Sequence, residues 1–364
     1  MSCTKLHKNF ILNGNSFEYV EDLLTYSKTI SEGVFLFFKT WFDVNNFVVV
    51  NTSGSTGKPT TIKLKKESMV NSALATGDYF KVLEKTKALL CLSPDYIAGK
   101  MMLVRALTLG WHLDVVEPSS NPLAGVKKDY DFSAMVPLQL ENSLPNLHRI
   151  KKLIVGGAPV SKTLFEKLQN VTTAVFATYG MTETITHIAV KLLNASCHAV
   201  PKVFEIVSAP HYTVLPHINI SKDHRNCLMI NAPKISDTVI ITNDLVELIS
   251  TTEFKWLGRY DTIINSGGVK LIPERIEDKL SIVIDKRFFV AGVPDDVLGK
   301  KLILVIEIQD VSFKLQDFKI MITKLPSLHK YEIPKEIYTV EKFIETETKK
   351  IQRQKTLDLV FKNR

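Results

Sequence analysis

Cysteine, tryptophan and long apolar runs are all scarce in this 364-residue chain. The four cysteines, Cys3, Cys91, Cys197 and Cys227, stand far apart. That scatter excludes both the paired spacing of zinc ligands and a dense disulfide framework, and a reducing cytoplasm is the expected setting. The longest apolar stretches, Phe47–Val50 and Leu302–Ile306, are strand-length. They fall far short of the roughly 18–20 residues that cross a bilayer, so no membrane span is expected. No apolar signal core follows Met1–Lys8, so no secretory leader is expected. Charge is plentiful, at a formal +8, but it is not concentrated. Lysine is densest around Lys349, Lys350, Arg353 and Lys355, without a zinc-finger, RNA-binding-sheet or basic-zipper pattern. A solvated basic surface, with no nucleic-acid partner, is the expectation. A DNA-binding reading has charge alone behind it.

What is present is a chain long enough for two cores, with 45% hydrophobic residues. Strand-like and helix-like segments alternate from about residue 47. Strands are expected at Phe47–Asn51, Thr60–Leu64, Leu89–Ser93, His112–Val116, Ser133–Val136, Leu153–Val155 and Ala174–Ala177. Helices are expected at Lys66–Phe80, Ile97–Leu109 and Ser161–Leu168. This alternation implies an α/β fold with largely parallel strands. Between 200 and 250 short strands follow one another without helices (Val203–Val207, Tyr212–Leu215, Val239–Thr242), as in an antiparallel sheet or small barrel closing the first domain. A second, α+β unit follows, with helices near Pro273–Val283 and Leu315–Leu325 around a strand at Leu302–Ile308. The expected domains are 1–258 and 259–364.

Asn51–Thr60 packs five hydroxyls, two glycines and Lys58 into a short loop after a strand. Glycines let consecutive N–H groups point at one anion, and hydroxyls and lysine add donors. The P-loop of ordinary nucleotidases would need glycine at Thr52, Ser or Thr at Pro59, and a helix where Thr61–Leu64 reads as a strand.

The string Ser53-Gly54-Ser55-Thr56-Gly57-Lys58-Pro59 resembles the phosphate loop of the adenylate-forming superfamily, which comprises acyl-CoA synthetases, luciferases and adenylation domains. Other motifs of that family follow in order. They are Gly156-Gly157-Ala158-Pro159, Ala177–Thr184 with its Tyr-Gly-Met-Thr-Glu core, Asp244 at a strand end, Gly258-Arg259-Tyr260-Asp261, and Asn265–Glu277. The last, Thr346–Arg353, carries Lys349 where the family has glycine.

The resemblance implies a large N-terminal α/β domain with a barrel-like subdomain and a small mobile C-terminal domain. It also implies ATP, Mg²⁺ and coenzyme A. Ser53, Gly54, Ser55, Thr56, Gly57 and Lys58 would hold the β- and γ-phosphates. Gly156, Gly157, Ala158 and Tyr179 would border adenine, Gly180 and Met181 would belong to the same ATP site, Thr182 would contact the α-phosphate, and Glu183 the metal. Asp244 and Arg259 would fix the ribose. Lys350 would bridge carboxylate and α-phosphate, Asp261 would be the hinge, and Gly267 and Gly268 would admit the pantetheine arm of CoA.

The phosphate loop comes early, near residue 52, so most of the family's usual N-terminal subdomain is expected to be absent. Together with Ser93–Met102 and Met181–Ala189, this resembles the compact o-succinylbenzoate–CoA ligases of menaquinone synthesis. Tyr96, Lys100 and His187 are weak candidates for contact with the acid. Lys100 and Arg105 are separated by about 500° of helical rotation, so at most one of them should face a pocket; Lys100 is nearer the strand end. Another aryl- or acyl-acid CoA ligase, or a non-catalytic nucleotide-binding relative, stays open.

Overall fold

The computed structural model describes residues 5–51, 60–194, 211–308, 315–346 and 351–362. Its main element is a thirteen-stranded sheet. At the centre, His112–Val115, Lys87–Leu90, Tyr130–Met135, Ile150–Val155 and Ala174–Gly180 run parallel in that spatial order. The chain reverses at His187–Leu192, which pairs antiparallel with Ala174–Gly180. From there Tyr212–Val214, Glu253–Arg259, Ile240–Leu248, Cys227–Asn231 and Asn219–Lys222 continue the same sheet antiparallel. The helix-free region therefore forms an antiparallel wing continuous with the parallel strands. The expected strand Val203–Val207 lies outside the described residues.

The parallel strands bury apolar runs such as Ala88–Leu90, Leu153–Val155 and Ala174–Ala177, as strands covered on both faces do, while Lys87, Asp131 and Lys151 stand at their amino ends. Helices Lys66–Phe80 and Ile97–Leu109 cover one side and pack against each other. Ile97–Leu109 is buried almost all round, from Met101 to Leu107 without a break. Its last residue is followed by Gly110 in the left-handed region, which ends the helix and starts the next strand. On the other side Pro137–Ser143 and Lys162–Leu168 cover a second core built on Leu140, Leu153, Leu164 and Leu168. Ser161 caps the latter helix, its Oγ accepting from Leu164 N at 3.1 Å.

Phe47–Asn51 and Thr61–Lys65 form a hairpin of their own, with Asn51 opposite Thr61. Val48, Val50 and Leu64 press its inner face onto the main core. The segment Glu32–Trp41 upstream is a helix whose Val34, Phe37, Phe38 and Trp41 share that core.

A separate five-stranded sheet draws its strands from Ile264–Ser266, Val269–Leu271, Phe288–Asp295, Gly299–Glu307 and Glu336–Val340. Helix Pro273–Leu280 buries Ile276 and Leu280 on it. The same helix meets the large domain at strand Glu253–Arg259. Among the described residues no helix is long and apolar enough to cross a membrane.

Candidate active site

The family motifs that can be described converge where parallel strands end and the antiparallel wing begins. Carboxyl ends of strands are where α/β sheets gather ligands. Strand Ile150–Val155 runs into Gly156-Gly157, and the neighbouring strand Ala174–Gly180 delivers Tyr179 beside it. A Cβ at Gly156 would lie 2.4 Å from Thr178 Oγ1, so glycine alone lets this turn lie flat against the signature strand. Gly157 has φ +87°, and Ala158 is exposed beyond it.

The signature segment then makes a short 3₁₀ turn, Thr182–Thr184. Thr184 is fully buried, and its hydroxyl bonds Met181 N, Met181 O and Thr186 O at 2.8–2.9 Å. Ile185 follows with φ +67° and ψ −59°, and Thr186 N donates to Thr184 O at 2.7 Å. This is a γ-turn of the rare, strained hand, forced on a buried β-branched residue. Strain of this kind costs about 1–3 kcal/mol and collects at functional loops. Its effect here is to leave Thr182 partly open and Glu183 exposed at the turn's crown. Glu183 has no protein partner among the described residues, so its carboxylate is available to a hard cation shared with phosphate oxygens. No group of three acidic, histidine or cysteine side chains that could hold a metal by itself occurs among those residues.

Asp244 lies within strand Ile240–Leu248 and not at its end, because a β-bulge lets the ladder continue past it. It is 7% exposed. Its Oδ2 accepts from Tyr179 OH at 2.6 Å and its Oδ1 from Trp256 Nε1 at 3.1 Å. Arg259 Nη1 stands 4.0 Å from Oδ1. Burial and the Asp244 carboxylate push the Tyr179 phenol far up, so it stays protonated and donates. The Tyr179 ring itself packs on Phe254 and Tyr212, with centroids 5.1 and 5.8 Å away.

Arg259 also forks onto Asp261, Nε to Oδ1 at 3.0 Å and Nη2 to Oδ2 at 2.8 Å. That pair, chiefly through its hydrogen bonds, holds the Asp261 carboxyl below the usual range. Asp261 sits in the 3₁₀ turn Tyr260–Thr262 between the two sheets. Gly267 and Gly268 turn the chain between Ile264–Ser266 and Val269–Leu271, and a Cβ at Gly268 would meet nothing within 4 Å.

The weak substrate candidates separate into two places. Tyr96 and Lys100 lie at the start of helix Ile97–Leu109, where the Lys100 ammonium is committed to the carbonyls of Pro94 and Asp95. Arg105, further along, is 1% exposed and turned toward the signature turn. Its Nε donates to Thr76 Oγ1 at 3.3 Å, and its Nη2 lies 3.4 Å from Thr186 Oγ1 and 3.5 Å from His187 Nδ1. No carboxylate pairs with it among the described residues. Burial lowers its pKa to about 9, so it remains charged at neutral pH. Burial and the Arg105 charge hold His187 well below its ordinary range, so the ring is neutral. With Nδ1 facing the Arg105 donor, the proton belongs on Nε2, which is buried without a partner. Sequence reasoning put Lys100 ahead of Arg105 and did not single out Trp256. The buried, unbroken apolar face of the arginine's helix hid the first, and nothing in the string marks the second.

Ser53, Gly54, Ser55, Thr56, Gly57 and Lys58, and also Lys349 and Lys350, lie outside the described residues.

Residues 44–204 match the family model of the AMP-binding enzymes. A crystal structure of an acyl-CoA synthetase (AMP-forming)/AMP-acid ligase II-like protein from Dyadobacter fermentans is 37% identical, covering 90% of this chain and 93% of that one, with a TM-score of 0.58. The chain belongs to the AMP-binding enzyme family. This AMP-binding enzyme is an AMP-forming ligase, as the motifs led one to expect. It is 25% identical over 337 residues to 2-succinylbenzoate–CoA ligase of Listeria monocytogenes, and 26% identical over 342 residues to that of Staphylococcus aureus. It spans 71% and 66% of those relatives' lengths. The o-succinylbenzoate coenzyme A synthetase of Bacillus subtilis in complex with ATP and magnesium shares its fold, with a TM-score of 0.71 at 18% identity over 95% of this chain and 83% of that one.

Proposed function

We propose that this AMP-binding enzyme joins o-succinylbenzoate, or a closely similar aromatic diacid, to coenzyme A at the cost of ATP. The observation that carries the substrate reading is Arg105, a buried guanidinium among neutral partners beside the signature turn. A buried charge without a counter-charge is strongly unfavourable, and a ligand carboxylate removes the deficit. Arg105 and the His187 Nε2–H offer two donors for it, and Phe80 meets the His187 ring edge-to-face at 6.4 Å. The acid therefore has one carboxylate to be activated and one to be held. The names of the curated relatives point to the same compound.

In the first half-reaction a carboxylate oxygen of the acid attacks the α-phosphorus of ATP and pyrophosphate leaves. In the second the CoA thiol attacks the acyl carbon, AMP leaves, and the thiol proton passes to solvent. No covalent enzyme intermediate is required, so catalysis is positioning and stabilisation of phosphate charge. Asp244 would take the ribose hydroxyls, Gly156–Ala158 and Tyr179 would border the adenine, Gly180 and Met181 would belong to the same ATP site, and Thr182 would donate to the α-phosphate. The exposed Glu183 fits a Mg²⁺ ion, which would neutralise charge on the phosphates. Ser53–Lys58 are assigned to the phosphates and Lys350 to the carboxylate–phosphate junction on the resemblance. Asp261 is the proposed hinge between domains 1–258 and 259–364, with Gly267 and Gly268 brought to the thiol in the second step. A cytoplasmic setting belongs to the same proposal, since both ATP and CoA are consumed.

The test is a panel of acids with ATP, Mg²⁺ and CoA, followed by mass spectrometry for the thioester and by kcat/KM. The expected result is a preference for o-succinylbenzoate over benzoate and medium-chain fatty acids approaching about 10⁴-fold, because a site built for a polar group rejects analogues that leave it unpaired. Equal values for benzoate and o-succinylbenzoate would remove the diacid reading and leave the ligase reading in place.

A further inference from the structure

Strand Glu253–Arg259 is irregular at one point. Opposite Ile240–Leu248, Asp244 pairs with Arg259 and Leu245 with Gly258, but Val246 pairs with Trp256. Leu257 is the extra residue of a β-bulge. In a regular strand Trp256 and Arg259, three apart, would point to opposite faces. The bulge returns both to the face that carries Asp244 and Val246. Trp256 then sits diagonally across from Asp244, within reach of a long side chain, and its indole N–H closes on Oδ1.

Gly258 makes the bulge possible. Its φ is +145°, and a Cβ there would lie 2.5 Å from Glu274 Oε2 and 2.6 Å from Ile272 Cγ2. The carboxylate is fixed at its root as well, where Asp244 N donates to Thr242 Oγ1 at 3.0 Å. An ionised carboxylate has about two acceptor directions on each oxygen. Trp256 uses one on Oδ1 and Tyr179 one on Oδ2, which leaves one direction on each oxygen. Two neighbouring hydroxyls of a ribose need that arrangement.

We infer that Trp256 is a positioning residue for nucleotide recognition, which sets the plane of the Asp244 carboxylate so that it accepts the 2′- and 3′-hydroxyls together. The inference rests on the proposed ribose role of Asp244. Trp256 touches no reacting atom. It acts through Asp244 on ATP binding and not on the acid or the thiol.

The experiment compares ATP, 2′-deoxyATP and 3′-deoxyATP in acyl-adenylate formation by wild type, Trp256→Phe, Tyr179→Phe and Asp244→Asn. Trp256→Phe should raise KM for ATP about five- to tenfold, the scale of one lost hydrogen bond, with kcat and the KM for the acid nearly unchanged. It should also erode discrimination against the two deoxy analogues unequally, and Tyr179→Phe should show the opposite inequality, because the two donors sit on different oxygens. A merely structural role would lower activity with all three nucleotides alike. If Asp244→Asn keeps full discrimination, the ribose role of Asp244 falls, and with it the inference. If Asp244→Asn loses discrimination while Trp256→Phe keeps it, the inference alone is overturned. A readout without substitution is available should Trp256→Phe not fold. Trp41 and Trp111 are 3% and 0% exposed in the core, whereas Trp256 is only partly buried. AMP added to the wild-type protein should therefore shift tryptophan emission, and an unchanged spectrum at saturating AMP would overturn the inference.

Discussion

Two buried charges in this protein are treated in opposite ways. Asp244 receives Tyr179 and Trp256 on its two oxygens and has Arg259 within 4.0 Å. Arg105 donates to two threonine hydroxyls and faces a neutral histidine. The first carboxylate is paired by the protein itself and, on the proposed reading, would lend its remaining acceptor directions to a ribose. The second has no counter-charge among the described residues, and on the proposed reading the acid's carboxylate would supply it. A finished site is stable and selective by shape. An unfinished one weakens the fold and gains its selectivity from the deficit.

The largest expected effect tests the unfinished site. Arg105→Met should lower kcat/KM for o-succinylbenzoate by about 10³-fold, with little change in the KM for ATP. The same change should leave the melting temperature unaltered or raise it, because an uncompensated charge gives way to an apolar side chain of similar length. A large loss of stability would mean that Arg105 is structural and would break the comparison.

Asp244→Asn should do the reverse. Removing the charge from a carboxylate that accepts from Tyr179 and Trp256 should destabilise the fold by about 1–3 kcal/mol and raise the KM for ATP, leaving the order of preference among acids intact. Thermal melts and acid panels on the two variants, read side by side, decide whether the sites differ as described.

A smaller effect concerns pH. His187 has its folded pKa depressed by burial and by Arg105, so below the ordinary histidine value of 6.5 the unfolded chain binds the extra proton first. Its contribution to stability is complete above pH 6.5 and is lost as pH falls toward the folded value, by at most about 1.4 kcal/mol per pH unit. His187→Gln should flatten the denaturant midpoint between pH 6.5 and 5, while wild type declines across that range. A wild-type midpoint constant over this interval would show that His187 is charged or exposed. The smallest effect belongs to Lys100→Ala. With its ammonium on two backbone carbonyls, it should change the diacid-to-benzoate ratio of kcat/KM by less than about threefold, on the scale of a half-exposed polar contact. A loss as large as that of Arg105→Met would restore Lys100 as the carboxylate partner.

Much of this was readable from residue order. The helices Lys66–Phe80 and Ile97–Leu109 begin and end where the spacing puts them. Which of Lys100 and Arg105 points inward was not readable. Helix Ile97–Leu109 is surrounded by core and has no polar stripe to orient it, so the apolar pattern that announces the helix says nothing about its rotation. The bulge at Leu257 was equally hidden. One extra residue in a strand leaves no compositional trace, yet it reverses the face of everything before it. Asp244 and Tyr179 were each named by their motifs, but the bond between them was not readable across 65 residues, and Trp256 is re-aimed by that bulge.

The hairpin Phe47–Asn51/Thr61–Lys65 has a mechanical consequence. Among the described residues it shares no ladder with the thirteen-stranded sheet and is held to it by apolar side chains such as Val48, Val50 and Leu64. A ladder resists sliding bond by bond, whereas apolar contacts let one surface slip over another. The arm that bears the glycine-rich string can therefore tilt without unzipping a single strand of the platform. Under hydrogen–deuterium labelling its amides should respond to ATP on their own clock, apart from those of the parallel strands beneath.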